Sequence, residues 1–279
     1  MTFYALLLIL VAPSARSADA EIEAKLNAKR PIASIDSPWM EELTWMEIRD
    51  KIAAGVTTVI VPTGGVEENG PYLATGKHNL ILQATCPVIA ASLGDTLCAP
   101  IVKFVPEGTI VPPSGAMRFP GTISVREDTF VALLEDIANS LKQHGFQHIV
   151  LIGDSGGNQS GIQRAAENLN KQWSSEEARA LFIRAYYDPG WEATEEFTRR
   201  ELGVDQSRDD GYHDDIWVTA MMSVADPASI RYEQRQASGL DSINGVSISP
   251  IRDTRSLGQK MIKFRAELTA DAIRAALKP

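Results

Sequence analysis

Residues 59–79 read VIVPTGGVEENGPYLATGKHN, and this stretch decides the fold. It opens inside the apolar run TTVIV, residues 57–61, the signature of a strand covered on both faces. Pro62 is expected to stop that strand, and Gly64 and Gly65 let the chain turn tightly behind it. Glu67, Glu68 and Asn69 follow, then a Gly-Pro turn, then Lys77-His78-Asn79. In a parallel α/β sheet, ligands bind in the loops beyond the carboxyl ends of the strands. Metal-ligating and acid/base side chains are thus gathered where such a sheet would place a site.

Outward from this stretch, strands and helices alternate. Residues 41–54 (EELTWMEIRDKIAA) predict a helix, with Thr44 and Glu47 at capping-box spacing and Gly55 as the stop. Residues 80–93 predict a helix bent at Pro87, and residues 96–104 a strand. Residues 105–120 hold four prolines and two glycines and read as a long irregular loop, a kind that is usually functional. An amphipathic helix over 128–144 ends at Gly145, and HIVLI, residues 148–152, is a second buried strand. A glycine-rich turn, 153–157, leads into a helix over 159–173. A strand over 181–186, helices over 191–202 and 216–224, and a terminal helix over 257–277 complete the pattern. The alternation predicts an α/β fold with a mainly parallel sheet.

The flanks and the composition bound the function. Residues 3–12 form a ten-residue apolar run, too short to span a bilayer and suited to an export signal. Small residues behind it offer cleavage after Ser17 or Ala20. The expected organisation is a signal peptide over 1–20, an arm over 21–40 and one α/β domain over 41–279, in a periplasmic or secreted protein with no membrane association after cleavage. Cys86 and Cys98 are the only cysteines, and an oxidising compartment would permit a disulfide if geometry allows. A net charge of −9 without any basic cluster argues against nucleic acid as a partner.

Two loops carry possible chemistry. One is the opening loop. The other is Gly153-Asp154-Ser155-Gly156-Gly157, also between a buried strand and a helix. Neighbouring parallel strands would bring both to one sheet edge, and His213, in Tyr212-His213-Asp214-Asp215, could reach the same crevice. Glu67, His78, Asp154, Ser155 and His213 form the expected constellation. GDSGG also fits G-x-S-x-G, the nucleophile-elbow pattern, with Ser155 as nucleophile and His213 as its base.

At these residues the chain resembles the creatininase (creatinine amidohydrolase) family. PTGGVEENGPYLATGKHN is similar to that family's first motif, FPGTISV at 119–125 to its FPGTISL, and LKQHGFQHIVLIGDSGGNQ to its segment around NGHGGN. YHDDIWVTAMM stands where the family has HAGExETS. The resemblance implies a three-layer α/β/α sandwich, metal-dependent hydrolysis of a cyclic or linear amide in a small molecule, and a homo-oligomer, often a hexamer.

The departures shape the expected site. Glu67 is kept as a metal ligand, but Asn69, His78 and Ser155 stand at positions where the family has His, Asp and His. Ile216 and Val218 replace acidic residues, while His213 matches the family's later His, an acid/base group. A carboxylate can bridge two cations but a neutral imidazole binds one. The expectation is therefore one divalent metal, zinc or manganese, on Glu67, His78 and Asp154, or no metal at all. Asn69, Tyr72 and Lys77 are expected to contact substrate. Two further readings stay open: a serine hydrolase using Ser155 with His213, and a catalytically silent relative serving in binding or assembly.

Overall fold

The computed structural model describes residues 15–278. The first part of the chain forms helices α1 (Ala15–Asn27) and α2 (Trp45–Ala53), strand β1 (Thr58–Thr63), helix α3 (Lys77–Leu93) and strand β2 (Thr96–Cys98). Helix α4 (Glu127–Gln143), strand β3 (His148–Gly153), helix α5 (Gln159–Gln172), strand β4 (Arg179–Phe182) and helix α6 (Gly190–Arg200) follow. Helices α7 (Ile216–Ala225) and α8 (Tyr232–Ala237), the short hairpin β5 (Ser242–Ile243) and β6 (Val246–Ser247), and helix α9 (Ile251–Ala276) come last. The expected export signal lies largely outside the described residues. Helix α1 crosses both expected cleavage points, so the anticipated arm begins as an exposed helix.

Strands β2, β1, β3 and β4 form one parallel sheet in that order, with β5 and β6 as a separate antiparallel pair. Period-two alternation explains the layers. Val59, Val61, Ile149 and Leu151 face Phe130, Leu134, Ile162 and Leu169 on α4 and α5. Ile60, Val150 and Ile152 face Leu82, Cys86 and Ile89 on α3 and Ala266, Ala270 and Ile273 on α9. Outside that second layer, Met221 and Met222 of α7 pack with Ile81, Met261 and Ile262. The expected α/β/α sandwich is the observed one.

Several boundaries differ for physical reasons. β1 does not stop at Pro62: the proline pairs with Ile152 and β1 continues to Thr63. Its carbonyl accepts from Val102 N on the β2 side, where the β1–β2 ladder has already ended at Cys98, so the missing N–H breaks no rung. The strand expected over 96–104 shrinks to Thr96–Cys98, with isolated bridges at Val102 and Val105. The strand expected over 181–186 is instead Arg179–Phe182 followed by a 3-10 turn. The capping box at Thr44 and Glu47 forms as expected. Cys86 and Cys98 are both buried and free.

Candidate active site

The site forms where β1 and β3 end side by side. Buried Asn158 holds the two ends together: its Nδ2 donates to Thr63 O, Thr63 Oγ1 and Gly64 O. The FPGTISV segment braces the third contributor. Ile123 N donates to Val66 O, Thr122 Oγ1 accepts from Glu68 N, and Ser124 Oγ accepts from Glu107 N. The long loop thereby brings Glu107 over β1. It packs so tightly that a Cβ on Gly157 would lie 2.1 Å from Pro106 O, and one on Gly65 would lie 1.9 Å from Glu107 Oε1.

A cavity of about 590 Å³ opens above these ends, lined by Glu67, Lys77, His78, Glu107, Ser155 and His213 among others. On its floor, His78 Nε2 lies 2.8 Å from Glu67 Oε1, and His78 Nδ1 lies 2.7 Å from Asp154 Oδ2. Lys77 Nζ donates to the same Glu67 Oε1 at 2.9 Å. Behind Asp154, Arg265 Nη1 stands 2.9 Å from Oδ1, at ion-pair distance though not aligned as a hydrogen bond. Arg265 Nε and Nη2 donate to Tyr186 O, and its guanidinium lies 4.0 Å from the ring centroids of both Tyr186 and Trp191. Ser155 Oγ donates to Glu107 Oε2 at 3.0 Å, while Glu107 Oε1 is buried with no hydrogen-bond partner among the described residues.

These contacts set the charges. Burial works against the Glu67 carboxylate, but the hydrogen bond to His78 and the Lys77 charge outweigh it and hold Glu67 well below the usual carboxylate range. Burial and Lys77 press the His78 imidazole down, yet its hydrogen bonds to Asp154 and Glu67 win and raise it. Asp154 resists its burial through the charge of Arg265 and the bond to His78, and is lowered. Glu107 has no such cation at contact: burial, then the neighbouring Glu67 charge, push it up to about 7.

The expected residues meet this geometry unevenly. Glu67, Lys77, His78, Asp154, Ser155 and His213 all line the one cavity. His213 stands at its mouth, 62% exposed, with Nδ1 3.8 Å from Glu67 Oε1. Asp154 lies behind His78, where it orients the ring, rather than beside Glu67 as a third ligand. Among the described residues, the group of side chains whose ligand atoms lie within 4.8 Å of one another is Glu67, His78 and Glu107. Glu107 escaped the reading of the sequence, although it is the only acidic residue in the loop 105–120. Asn69 and Tyr72 do not line the cavity. Asn69 is buried and donates to Glu67 O and Ala74 O of its own loop, and Tyr72 stacks under Arg235 with 4.4 Å to the ring centroid. Ser155 caps the 3-10 turn at Gly157 N and hydrogen-bonds a carboxylate, with no histidine partner among the described residues.

Gly65 tests this arrangement. Its replacement by Ala puts a methyl where Glu107 Oε1 now sits, and a flexible carboxylate can swing away at little cost to the fold. The expected result is a folded Gly65→Ala protein with turnover reduced by about a hundredfold, the scale of a displaced active-site group. Thermal melting and kcat/KM on the same preparation check it.

Comparison with known proteins supplies the lineage. The sequence model of the Creatininase family, described as creatinine amidohydrolase, matches residues 41–271. A creatinine amidohydrolase of Pseudomonas putida is 29% identical over 116 residues, 42% of this chain and 44% of that protein. A 3-dehydro-scyllo-inosose hydrolase of Thermotoga maritima is 23% identical over 118 residues, 42% of this chain and 36% of that protein. The matched segments thus span less than half of each curated relative. A mutant creatininase of Zn-Zn type superposes with a TM-score of 0.68 at 21% identity, covering 88% of this chain and 100% of that one. A manganese creatininase gives 0.66 at 20% identity with the same coverage. Such likeness carries the fold, and the family match over most of the chain carries the kinship: the chain belongs to the creatininase family of amidohydrolases.

Proposed function

We propose that this chain is an amidohydrolase that cleaves a cyclic or linear C–N amide bond of a small molecule by attack of water, with at most one divalent metal ion. The observation that carries the reading is the buried group Glu67, His78 and Glu107 on the floor of an open cavity at the carboxyl ends of β1 and β3. The donors fit one ion. One imidazole and two carboxylates lie within 4.8 Å, and the orphaned Glu107 Oε1 is an acceptor without a donor. Three protein ligands with an open fourth position is the catalytic pattern for zinc. Among the described residues a second ion finds no donor set: Asn69 is turned into its own loop, and the Ser155 hydroxyl is committed to Glu107.

When bound, zinc or manganese would supply a Lewis acid and a more acidic water. The chain's own residues do the rest. Asp154 accepts from His78 Nδ1–H and so leaves Nε2 as the atom that faces Glu67 or a metal. Arg265 fixes Asp154 from behind. Tyr187, Trp191 and Trp217 give the cavity apolar walls against which a small substrate can be held away from water. His213, at the mouth and within reach of Glu67, takes the proton of the attacking water and returns it to the leaving nitrogen. One water is consumed, and a carboxylate and an amine leave.

The serine-hydrolase reading is weaker, since Ser155 donates to Glu107 and has no hydrogen bond to His213, the base that reading expects, or to any other histidine among the described residues. Ser155→Ala should keep kcat/KM within about tenfold of the parent, because it removes one hydrogen bond to Glu107. A fall of several powers of ten with metal content intact would move the assignment to a serine nucleophile. The proposal as a whole is tested by loading purified protein with zinc or manganese and screening cyclic and linear amides, creatinine among them. Absence of turnover on every amide, before and after loading and after chelation, would favour the silent relative.

A further inference from the structure

We propose that Lys77 is a resident cation that competes with divalent metal for Glu67, and so limits how tightly the site holds a metal ion. The inference rests on the proposed metal site but not on catalysis. Lys77 opens helix α3, at the helix end where the macrodipole disfavours a positive charge. Its side chain is only 5% exposed, and a buried ammonium persists only when paired. The partner is Glu67 Oε1 at 2.9 Å. That carboxylate also belongs to the group able to hold a metal. Neither the helix nor solvent therefore accounts for this lysine; the metal-type carboxylate does.

The charges around the floor lead to the same place. Three carboxylates, Glu67, Glu107 and Asp154, face the fixed cations Lys77 and Arg265. With His78 neutral, as a ligand must be, one net negative charge remains for a divalent ion. Without Lys77 there would be two, which such an ion balances. Entry of the metal also requires Glu67 Oε1 to exchange an N–H donor for a cation, with the Lys77 charge left close by. Like charges at such range repel strongly in a buried site. The consequence is a site that binds metal weakly and gives it up readily.

The test is a zinc titration of metal-stripped protein by calorimetry, on the full chain without substrate. Wild type should bind no more than one ion per chain. Lys77→Met should bind zinc at least about tenfold more tightly, a coupling of ordinary size for adjacent sites. Lys77→Arg, which keeps the charge, should stay at the wild-type affinity. Equal or weaker binding by a Lys77→Met protein that melts as a folded domain would overturn the proposal. So would the absence of zinc binding in both proteins, or tightened binding in Lys77→Arg. Should Lys77→Met fail to fold, two ions per wild-type chain would still overturn it, and at most one ion with unchanged affinity in Lys77→Arg would sustain it. Because no substrate is used, a failed amide screen with these zinc results removes the hydrolase reading and leaves Lys77 its role. Turnover with contrary zinc results does the reverse.

Discussion

Glu67→Gln should abolish turnover and metal retention together, with kcat/KM falling by at least about a thousandfold. The substitution preserves size and one carbonyl oxygen but removes the negative charge. Two donors converge on that charge, His78 Nε2 at 2.8 Å and Lys77 Nζ at 2.9 Å, with His213 Nδ1 further off at 3.8 Å. A glutamine leaves the buried Lys77 ammonium facing a neutral amide, so the fold should weaken as well. Activity is therefore to be compared at matched folded fraction, with elemental analysis of the same samples. Full turnover in this variant, beside an inactive Ser155→Ala, would transfer the chemistry to the serine.

Arg265→Ala should give the largest loss of stability of any single change in the site, about 3–5 kcal/mol, the usual cost of stripping one partner from a buried ion pair. Arg265 and Asp154 are both fully buried, so truncating the arginine strips the carboxylate of its counter-charge. The change also empties the slot between Tyr186 and Trp191 and leaves Tyr186 O without two donors. For a protein of this size the melting temperature should fall by roughly 10 °C. Arg265→Lys should recover only part of the loss, since an ammonium keeps the charge but neither the planar stack nor the forked hydrogen bonds. Calorimetric melting of the three proteins decides it; an Arg265→Ala protein as stable as the parent would show that Asp154 is neutral in the fold.

Reading the chain unaided reached the sheet and half of the site, and the division has a physical basis. Strands β1 and β3 are announced by apolar runs, because both of their faces are covered. The loops behind them could be placed at one edge by topology alone. Glu107 could not be picked out in the same way. Its position depends on its own bond to Ser124 and on the packing of Pro106 against Gly157, contacts across 17 and 51 residues that no local pattern records. Asp154 was expected beside Glu67 as a ligand and lies instead on the Nδ1 side of His78, since spacing does not say on which side of an imidazole a carboxylate lies. Lys77 stands outside the helix expected over 80–93, yet it opens α3 and is buried, and only the proximity of Glu67 explains its burial. Asn69 and Tyr72 follow the same logic in reverse: they stand in the functional loop, yet their partners are backbone carbonyls and Arg235.

The placement of Arg265 in α9 has a consequence for the order in which the protein can be assembled during synthesis. Glu67, His78, Glu107 and Asp154 all leave the ribosome before the helix that carries their last counter-charge. A nascent chain that has emerged only as far as α7 can pair its strands, but it lacks the guanidinium that stands behind Asp154 and helps to hold it as the anion that His78 Nδ1 meets. The cavity floor is thus closed by a segment made after every group that lies on it. A chain clipped ahead of α9 carries every group on the cavity floor but lacks the guanidinium that faces Asp154.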